Sequence, residues 1–153
     1  MYERILVPVD GSPTSLRGLD EAISLAALCG GSLRLLHVVD ELSAAIGMSS
    51  YGAVPPDVFQ LLKEGGEQVL KTAQALAASR QVRVDTLLIE GFTGRLSDHV
   101  DEQVRAWDAR LVVLGSHGRR GVGRLVMGSD AEQIIRTARV PVLVVRAPEL
   151  QAQ

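Results

Sequence analysis

Residues 111–129 read LVVLGSHGRRGVGRLVMGS, four apolar residues followed by a glycine-rich segment. The run 111–114 has no polar alternation, which is typical of a strand covered on both faces. Apolar residues at helical spacing, among them Ile134 and Ala138, follow Ser129 and indicate a helix. The segment therefore predicts a strand, a loop and a helix, the unit from which parallel sheets are built.

The same alternation extends in both directions from this unit. Each short apolar run predicts a strand, and each amphipathic stretch between two runs predicts a helix. The order βαβαβαβαβ implies right-handed crossovers, with helices on both faces of one sheet. We therefore predict a single doubly wound parallel five-stranded α/β domain over residues 1–147, with residues 148–153 as a C-terminal tail. The predicted strands are Ile5–Val9, Leu33–Val39, Val82–Ile89, Leu111–Leu114 and Val140–Val145.

Two regions depart from a simple helical period. Residues 40–56 carry no clean period, so we expect a long loop of the type that often forms a lid. Gly65 and Gly66 interrupt the helix predicted over residues 57–80. Each glycine costs about 1 kcal/mol relative to alanine in a helix interior, so we expect a kink or a break there.

Composition excludes several classes of function. The chain has 153 residues, a net charge of −2 and 3% aromatic residues, which gives neither a basic field nor stacking platforms for nucleic acid. Its one cysteine, Cys29, excludes an internal disulfide and is expected to be buried. The N-terminus lacks signal-peptide features, and no apolar run reaches the roughly 20 residues that span a bilayer. We expect a cytoplasmic protein that binds neither nucleic acid nor membrane.

Ligands of open parallel sheets bind beyond the carboxyl ends of the strands, where the strand order reverses. Asp10 follows the first predicted strand, and the glycine-rich loop follows the fourth. Glycines allow a ligand to approach the backbone, and a helix N-terminus offers free N–H groups to a phosphate. This end of the sheet is therefore the predicted binding site.

Familiar phosphate and catalytic motifs do not fit the loop. A P-loop needs Lys after its second glycine, whereas Arg124 follows Gly123. The G-x-G-x-x-G pattern fails because Val126 stands at the third glycine. A nucleophile elbow around Ser116 fails because Leu114 stands at its first glycine.

The spacing that does fit is G-x2-G-x9-G-[ST], formed by Gly115, Gly118, Gly128 and Ser129. It resembles the nucleotide-binding signature of the universal stress protein family, in its ATP-binding branch. The strand segments around it resemble that family in the same order over nearly the whole chain. The resemblance implies a sheet of order 3-2-1-4-5, with a crevice between the first and fourth strands.

The resemblance also implies a site for ATP with Mg²⁺ or Mn²⁺. Asp10 would approach the ribose or a phosphate-bound metal, and the backbone of Val38 would meet adenine. The other implied contacts are Pro8 and Val9 beside adenine; Gly115, His117 and Gly118 beside the ribose and α-phosphate; and Gly128, Ser129 and Asp130 at the phosphates. Asp130 departs from the apolar residue that is common there, and its carboxylate would repel a phosphate.

Structural roles compete with several of these assignments. Asp10 could satisfy the turn before the first helix, and Ser129 with Glu132 reads as a capping box. His37 lies inside a strand pattern and is expected to be a core histidine. The Arg119, Arg120 and Arg124 side chains suit a solvated loop face as well as phosphate contact.

The resemblance implies a nucleotide-dependent stress or signalling regulator, with no catalytic residues and at most slow ATP hydrolysis. One alternative is an ATPase or nucleotidyl-transfer enzyme on the same fold. Another is a dimeric interaction module that binds no nucleotide. The apolar strand Val140–Val145 is expected at the sheet edge, where it would pair with a second copy to form a homodimer.

Overall fold

The computed structural model describes residues 1–49, 52, 55, 57–91, 94–116 and 127–146. The strands within these ranges are β1 (Arg4–Pro8), β2 (Ser32–Val38), β3 (Arg83–Ile89), β4 (Leu111–Gly115) and β5 (Val142–Val145). The helices are α1 (Pro13–Cys29), α2 (Glu41–Ser49), α3 (Asp57–Ser79), α4 (Leu96–Ala106) and α5 (Ser129–Thr137).

The described strands form one parallel sheet in the order β3-β2-β1-β4-β5, as predicted. Alternate residues of β1 enter two different apolar cores: Ile5 and Val7 pack beneath α1 and α3, and Leu6 packs beneath α4 and α5. Both faces of the sheet are therefore covered, which explains why its central strands are apolar without alternation.

Helix α1 has both ends specified by sequence. Ser12 is extended and its Oγ accepts a hydrogen bond from the N–H of Ser15 at 3.2 Å, and Pro13 occupies the first turn. At the other end Gly30 has φ +65°, the left-handed conformation that glycine adopts without strain. This start places the residues that follow β1 at a helix N-terminus.

The region predicted as a long loop begins with α2, so that prediction is wrong for residues 41–49. Asp40 starts the helix, because its Oδ1 accepts a hydrogen bond from the N–H of Ser43 at 3.0 Å. None of the residues of α2 is buried. A helix that buries no apolar face shows no helical period of apolar residues in its sequence.

Two further expectations are corrected. Helix α3 runs through Gly65 and Gly66 without a break, because Gly66 packs against the sheet. Cys29 is exposed rather than buried. The predicted tail, residues 148–153, lies outside the described residues, and none of the described helices has the length and apolar character needed to cross a bilayer.

Candidate functional site

One large cleft opens at the carboxyl ends of β1 and β4, with a volume of about 870 Å³. Its walls come from the residues that follow β1, β2 and β4, from the first turn of α5, and from one side of α2 and α3. It therefore lies at the point where strand order reverses, the position that the sequence predicts for a ligand.

Pro8 lies where β1 and β4 separate. Strands β1 and β2 stay in register up to Pro8 and Leu36, whereas β1 and β4 are paired only at Ile5–Leu111 and Leu6–Val112. Val9 donates its N–H to Leu36 on β2, so by alternation the nitrogen of Pro8 faces β4. A proline has no N–H to donate to that strand, which favours the opening.

Eight of the ten predicted binding residues line this cleft, and their roles toward a ligand remain predictions. The other two, His117 and Gly118, lie outside the described residues, as do Arg119, Arg120 and Arg124. The eight are Pro8, Val9, Asp10, Val38, Gly115, Gly128, Ser129 and Asp130.

Asp10 has the structural role that competes with ligand binding. Its Oδ1 accepts a hydrogen bond from the N–H of Ser12 at 2.9 Å, which forms an Asx turn ahead of α1. Its own N–H donates to Oγ of Ser15 at 3.1 Å. These contacts orient a half-buried carboxylate at the mouth of the cleft, beside the N-terminus of α1.

The first turn of α5 differs from the predicted capping box. Gly128, not Ser129, is the N-cap residue, and no side chain of the described residues caps this helix. Gly128 donates its N–H to the carbonyl of Ser116 at 2.9 Å, which joins the start of α5 to the residue that follows β4. Ser129, Asp130 and Ala131 follow along the cleft wall, and their N–H groups are those that a helix leaves unsatisfied.

Gly115 also has a structural reason to be glycine. A Cβ at this position would lie 2.7 Å from the carbonyl carbon and oxygen of Thr14, so β4 could not approach the start of α1. The same packing explains Gly18, whose Cβ would lie 3.1 Å from the nitrogen of Gly115. The first glycine of the motif is thus required by the fold, whatever it does for a ligand.

His37 is the buried core histidine that the sequence predicts, and it also lines the cleft. Its Nδ1 lies 2.7 Å from the carbonyl oxygen of Val9 and donates to it, because a carbonyl only accepts. The ring packs against α3 at Gly66, where a Cβ would lie 2.7 Å from Cδ2. Gly66 is the sequence signal for this contact, whereas a Cβ on Gly65 would meet nothing within 4 Å.

Other cleft residues carry no motif and were not predicted. Asp40, Leu42 and Ser43 come from the start of α2, Leu61 and Leu62 come from α3, and Arg95 comes from the turn before α4. Arg95 is the one cationic side chain among the described residues of the cleft. The interpretation of residues 40–56 as a loop hides Asp40, Leu42 and Ser43, because these residues line the cleft only once α2 is formed.

An ion pair supports the α3 side of the cleft from outside. Lys63 Nζ on α3 lies 2.9 Å from Oε1 of Glu90, the residue that follows β3. The hydrogen bond from Lys63 to Glu90 raises the pKa of the lysine, so Lys63 stays cationic at neutral pH. The pair joins α3 to the end of the strand beside Gly91, which lines the cleft.

Comparison with known proteins agrees with this architecture. The chain matches the Universal stress protein family over residues 1–146. It is 33% identical over 149 residues to Universal stress protein MJ0531 of Methanocaldococcus jannaschii, covering 97% of this chain and 85% of that protein.

Solved structures share the fold. A crystal structure of a universal stress protein family member from Burkholderia pseudomallei has a TM-score of 0.74 and 30% identity, and the match covers 95% of this chain and 97% of that one. The universal stress protein of Archaeoglobus fulgidus in complex with dAMP has a TM-score of 0.67 and 21% identity, and covers 94% of this chain and 98% of that one.

Proposed function

Because the chain belongs to the universal stress protein family, we propose that it binds ATP in the cleft at the ends of β1 and β4. It then acts as a nucleotide-dependent regulator of stress or signalling, which changes its partners with nucleotide occupancy. The observation that carries the proposal is that one cleft is lined both by the open N-terminus of α5 and by the ends of β1 and β2.

The phosphate end of the nucleotide lies at α5. Ser129, Asp130 and Ala131 form the first turn of α5 on the cleft wall, where their N–H groups can donate to an anion. The positive end of the helix dipole adds to this attraction. The exposed carboxylate of Asp130 works against this attraction. Binding of the triphosphate together with a divalent cation offsets that repulsion.

The base end lies where β2 leaves the sheet. Val9, Val38 and Leu62 supply apolar surface there, and Val38 adds backbone polar groups. A cleft of about 870 Å³ is within the usual range for small-molecule sites, about 300–1,000 Å³. The dAMP complex of the Archaeoglobus fulgidus protein is a precedent for an adenine nucleotide on this fold.

The donor set fits a metal ion that arrives with the nucleotide. Within the described ranges, no group of three or more His, Cys, Asp or Glu side chains could hold an ion. Mg²⁺ is commonly held by one or two carboxylates together with substrate phosphates and water. Asp10 would be the protein ligand of Mg²⁺ or Mn²⁺, and the ion would neutralise phosphate charge near Asp130.

We expect at most slow hydrolysis of ATP. Rapid hydrolysis needs a general base within hydrogen-bond reach of an attacking water. The described imidazole of the cleft is His37, whose Nδ1 is engaged by the carbonyl of Val9. Asp10 accepts from Ser12, and Asp130 is exposed on α5. A turnover number in the usual enzyme range would favour the alternative of an ATPase.

The regulator is proposed to be a homodimer that pairs through β5. This strand lies at one edge of the described sheet. Pro141 accepts a hydrogen bond from Val112 on β4, and Val145 accepts one from Ser116, which follows β4. By alternation, Val142 and Val144 direct their backbone groups outward. An apolar edge with open backbone groups is a template for a second strand.

The test removes one backbone donor from α5 without disturbing the helix. Ser129→Pro deletes the N–H and the hydroxyl of the first helical residue, where proline is well tolerated. Gly128 has φ −60° and ψ 144°, a conformation compatible with a following proline. Ser129→Ala is the matched control, because it deletes only the hydroxyl.

Bound nucleotide is extracted from the purified protein, and ATP with Mg²⁺ is then titrated by calorimetry. We expect Ser129→Pro to weaken ATP binding by at least about tenfold, since a hydrogen bond to a charged group contributes roughly 1.5–3 kcal/mol. Ser129→Ala is expected to lose less, and adenosine affinity is expected to stay unchanged in both variants. Absence of bound nucleotide and of heat at millimolar ATP would refute nucleotide binding and leave the dimeric interaction module.

A further inference from the structure

At the end of the ladder between β1 and β2, a side-chain donor takes the place of a backbone N–H at the carbonyl of Val9. Val9 donates its N–H to the carbonyl of Leu36 at 2.8 Å. In a parallel ladder, the carbonyl of Val9 would next accept the N–H of Val38. Nδ1 of His37 donates to that carbonyl instead, at 2.7 Å. The backbone hydrogen bonds of the described residues include none from Val38 to Val9.

The N–H of Val38 is directed toward the cleft by the pleat of β2. Val39 donates its N–H to the carbonyl of Ile89 on β3 at 2.8 Å. Successive residues of a strand turn their backbone groups to opposite neighbours, so Val38 faces the side of β1. Strand β1 has ended at Pro8 by this level, and Val38 lines the cleft.

The position of the imidazole is specified by its surroundings. His37 is only 8% exposed. A Cβ on Gly66 would lie 2.7 Å from its Cδ2 and 3.1 Å from its Nε2, so the absence of a side chain there admits the ring beneath α3. The side chain can therefore hold Nδ1 at the carbonyl of Val9.

We infer that His37 is a positioning residue for the nucleobase: by occupying the carbonyl of Val9, it keeps the N–H of Val38 available to a ring nitrogen of a purine. The inference rests on the proposed nucleotide binding and names the N–H of Val38 as the hydrogen-bond donor to the base. Val38 is partly exposed on the cleft wall, so an incoming base can supply an acceptor to this N–H at the end of β2.

The test follows the exchange of single amide hydrogens by NMR. In the protein without nucleotide, we expect the amide of Val38 to exchange about a hundredfold faster than that of Val39, which is bonded to Ile89. Adenosine is expected to slow exchange at Val38 and to leave Val39 unchanged. Equal protection of the two amides without nucleotide would overturn the inference.

Two substitutions at position 37 separate positioning from simple packing. His37→Phe keeps a ring but has no donor, so we expect the Val38 N–H to bond to Val9. Its exchange then slows, and adenosine affinity falls about tenfold, or about 1.4 kcal/mol. His37→Asn places an amide donor near the Nδ1 position, and we expect it to retain fast exchange and affinity within about threefold of the parent. Parent-like affinity in a folded His37→Phe variant would refute the role.

The outcomes distinguish this inference from the proposed function. If the parent protein binds neither ATP nor adenosine, nucleotide binding fails, while the exchange rates of Val38 and Val39 still decide whether His37 keeps that amide open. If His37→Phe does not fold, Gly66→Ala displaces the ring and is expected to give the same two signals. Unchanged exchange and affinity in a folded Gly66→Ala variant would count against the inference.

Discussion

The imidazole of His37 lies against the bare Cα of Gly66, where a Cβ would come within 2.7 Å of Cδ2. Gly66→Ala is therefore expected to lower the free energy of unfolding by about 1–2 kcal/mol, because overpacking outweighs the gain in helix propensity. A Cβ on Gly65, one residue earlier in α3, would have no neighbour within 4 Å. Gly65→Ala is therefore expected to raise the free energy of unfolding by about 1 kcal/mol. Urea denaturation of both variants measures the difference, and equal stabilisation would contradict the packing.

Asp130 is expected to weaken the binding of triphosphate but not of nucleoside. Asp130→Asn removes a carboxylate from the cleft wall at the α5 N-terminus, so ATP affinity should rise about threefold at low salt and the gain should shrink as salt screens the charge. The helix loses a favourable charge near its positive end, about 0.3–1 kcal/mol.

Glu132→Gln is the control for Asp130→Asn. Glu132 lies in the same turn but is paired with Arg136 at 3.3 Å and is not among the lining residues. Calorimetric titration of both variants with ATP and with adenosine tests the electrostatic effect. A similar gain for Glu132→Gln would show that the net charge of the helix, rather than the position of Asp130, determines affinity.

Gly115 is expected to be required for stability before any ligand is added. Gly115→Ala places a Cβ 2.7 Å from the backbone of Thr14, which cannot yield as a side-chain tip can, so we expect a loss of about 1–3 kcal/mol. Gly47→Ala in α2 meets nothing within 4 Å and should not destabilise. Thermal unfolding without nucleotide measures both, and a fully stable Gly115→Ala variant would argue against close packing of β4 on α1.

The proposed dimer can be tested through a single outward N–H. Val144→Pro removes a donor that faces away from β4, so the ladder to β4 is kept while edge pairing loses a hydrogen bond. Val144→Ala trims the side chain and keeps that donor. Light scattering after size exclusion is expected to give a dimer for the parent and Val144→Ala, and a monomer for Val144→Pro. A dimer that survives Val144→Pro would exclude pairing through β5.

The strands and the location of the cleft could be predicted from the residues because their signals are local. Apolar runs such as 111–114 mark buried strands, and Asp10-Gly11-Ser12-Pro13 marks the turn after the first strand. The 3-2-1-4-5 order followed from the family resemblance and is observed. These elements lie in the interior, where the hydrophobic period reports burial directly.

What was missed depends on contacts between residues far apart in the chain. No residue of helix α2 is buried, so its apolar residues show no helical period in the sequence. The glycine at position 66 reads locally as a helix breaker, and only the approach of His37, 29 positions earlier in the chain, explains it. Likewise, Ser129 resembles an N-cap in the sequence, whereas the N-cap in the structure is Gly128, which is bonded to Ser116.

One residue, Ser116, joins the two surfaces to which function is assigned. Ser116 donates its N–H to Val145 on the edge strand and accepts at its carbonyl from Gly128, the cap of α5. The N–H and the carbonyl of Ser116 belong to adjacent peptide planes that meet at its Cα, so moving either contact would perturb the other through this one residue. If occupancy at α5 alters pairing at β5, thermodynamic reciprocity requires that association of a second subunit alter ligand affinity by the same factor. Apparent affinity would then depend on protein concentration.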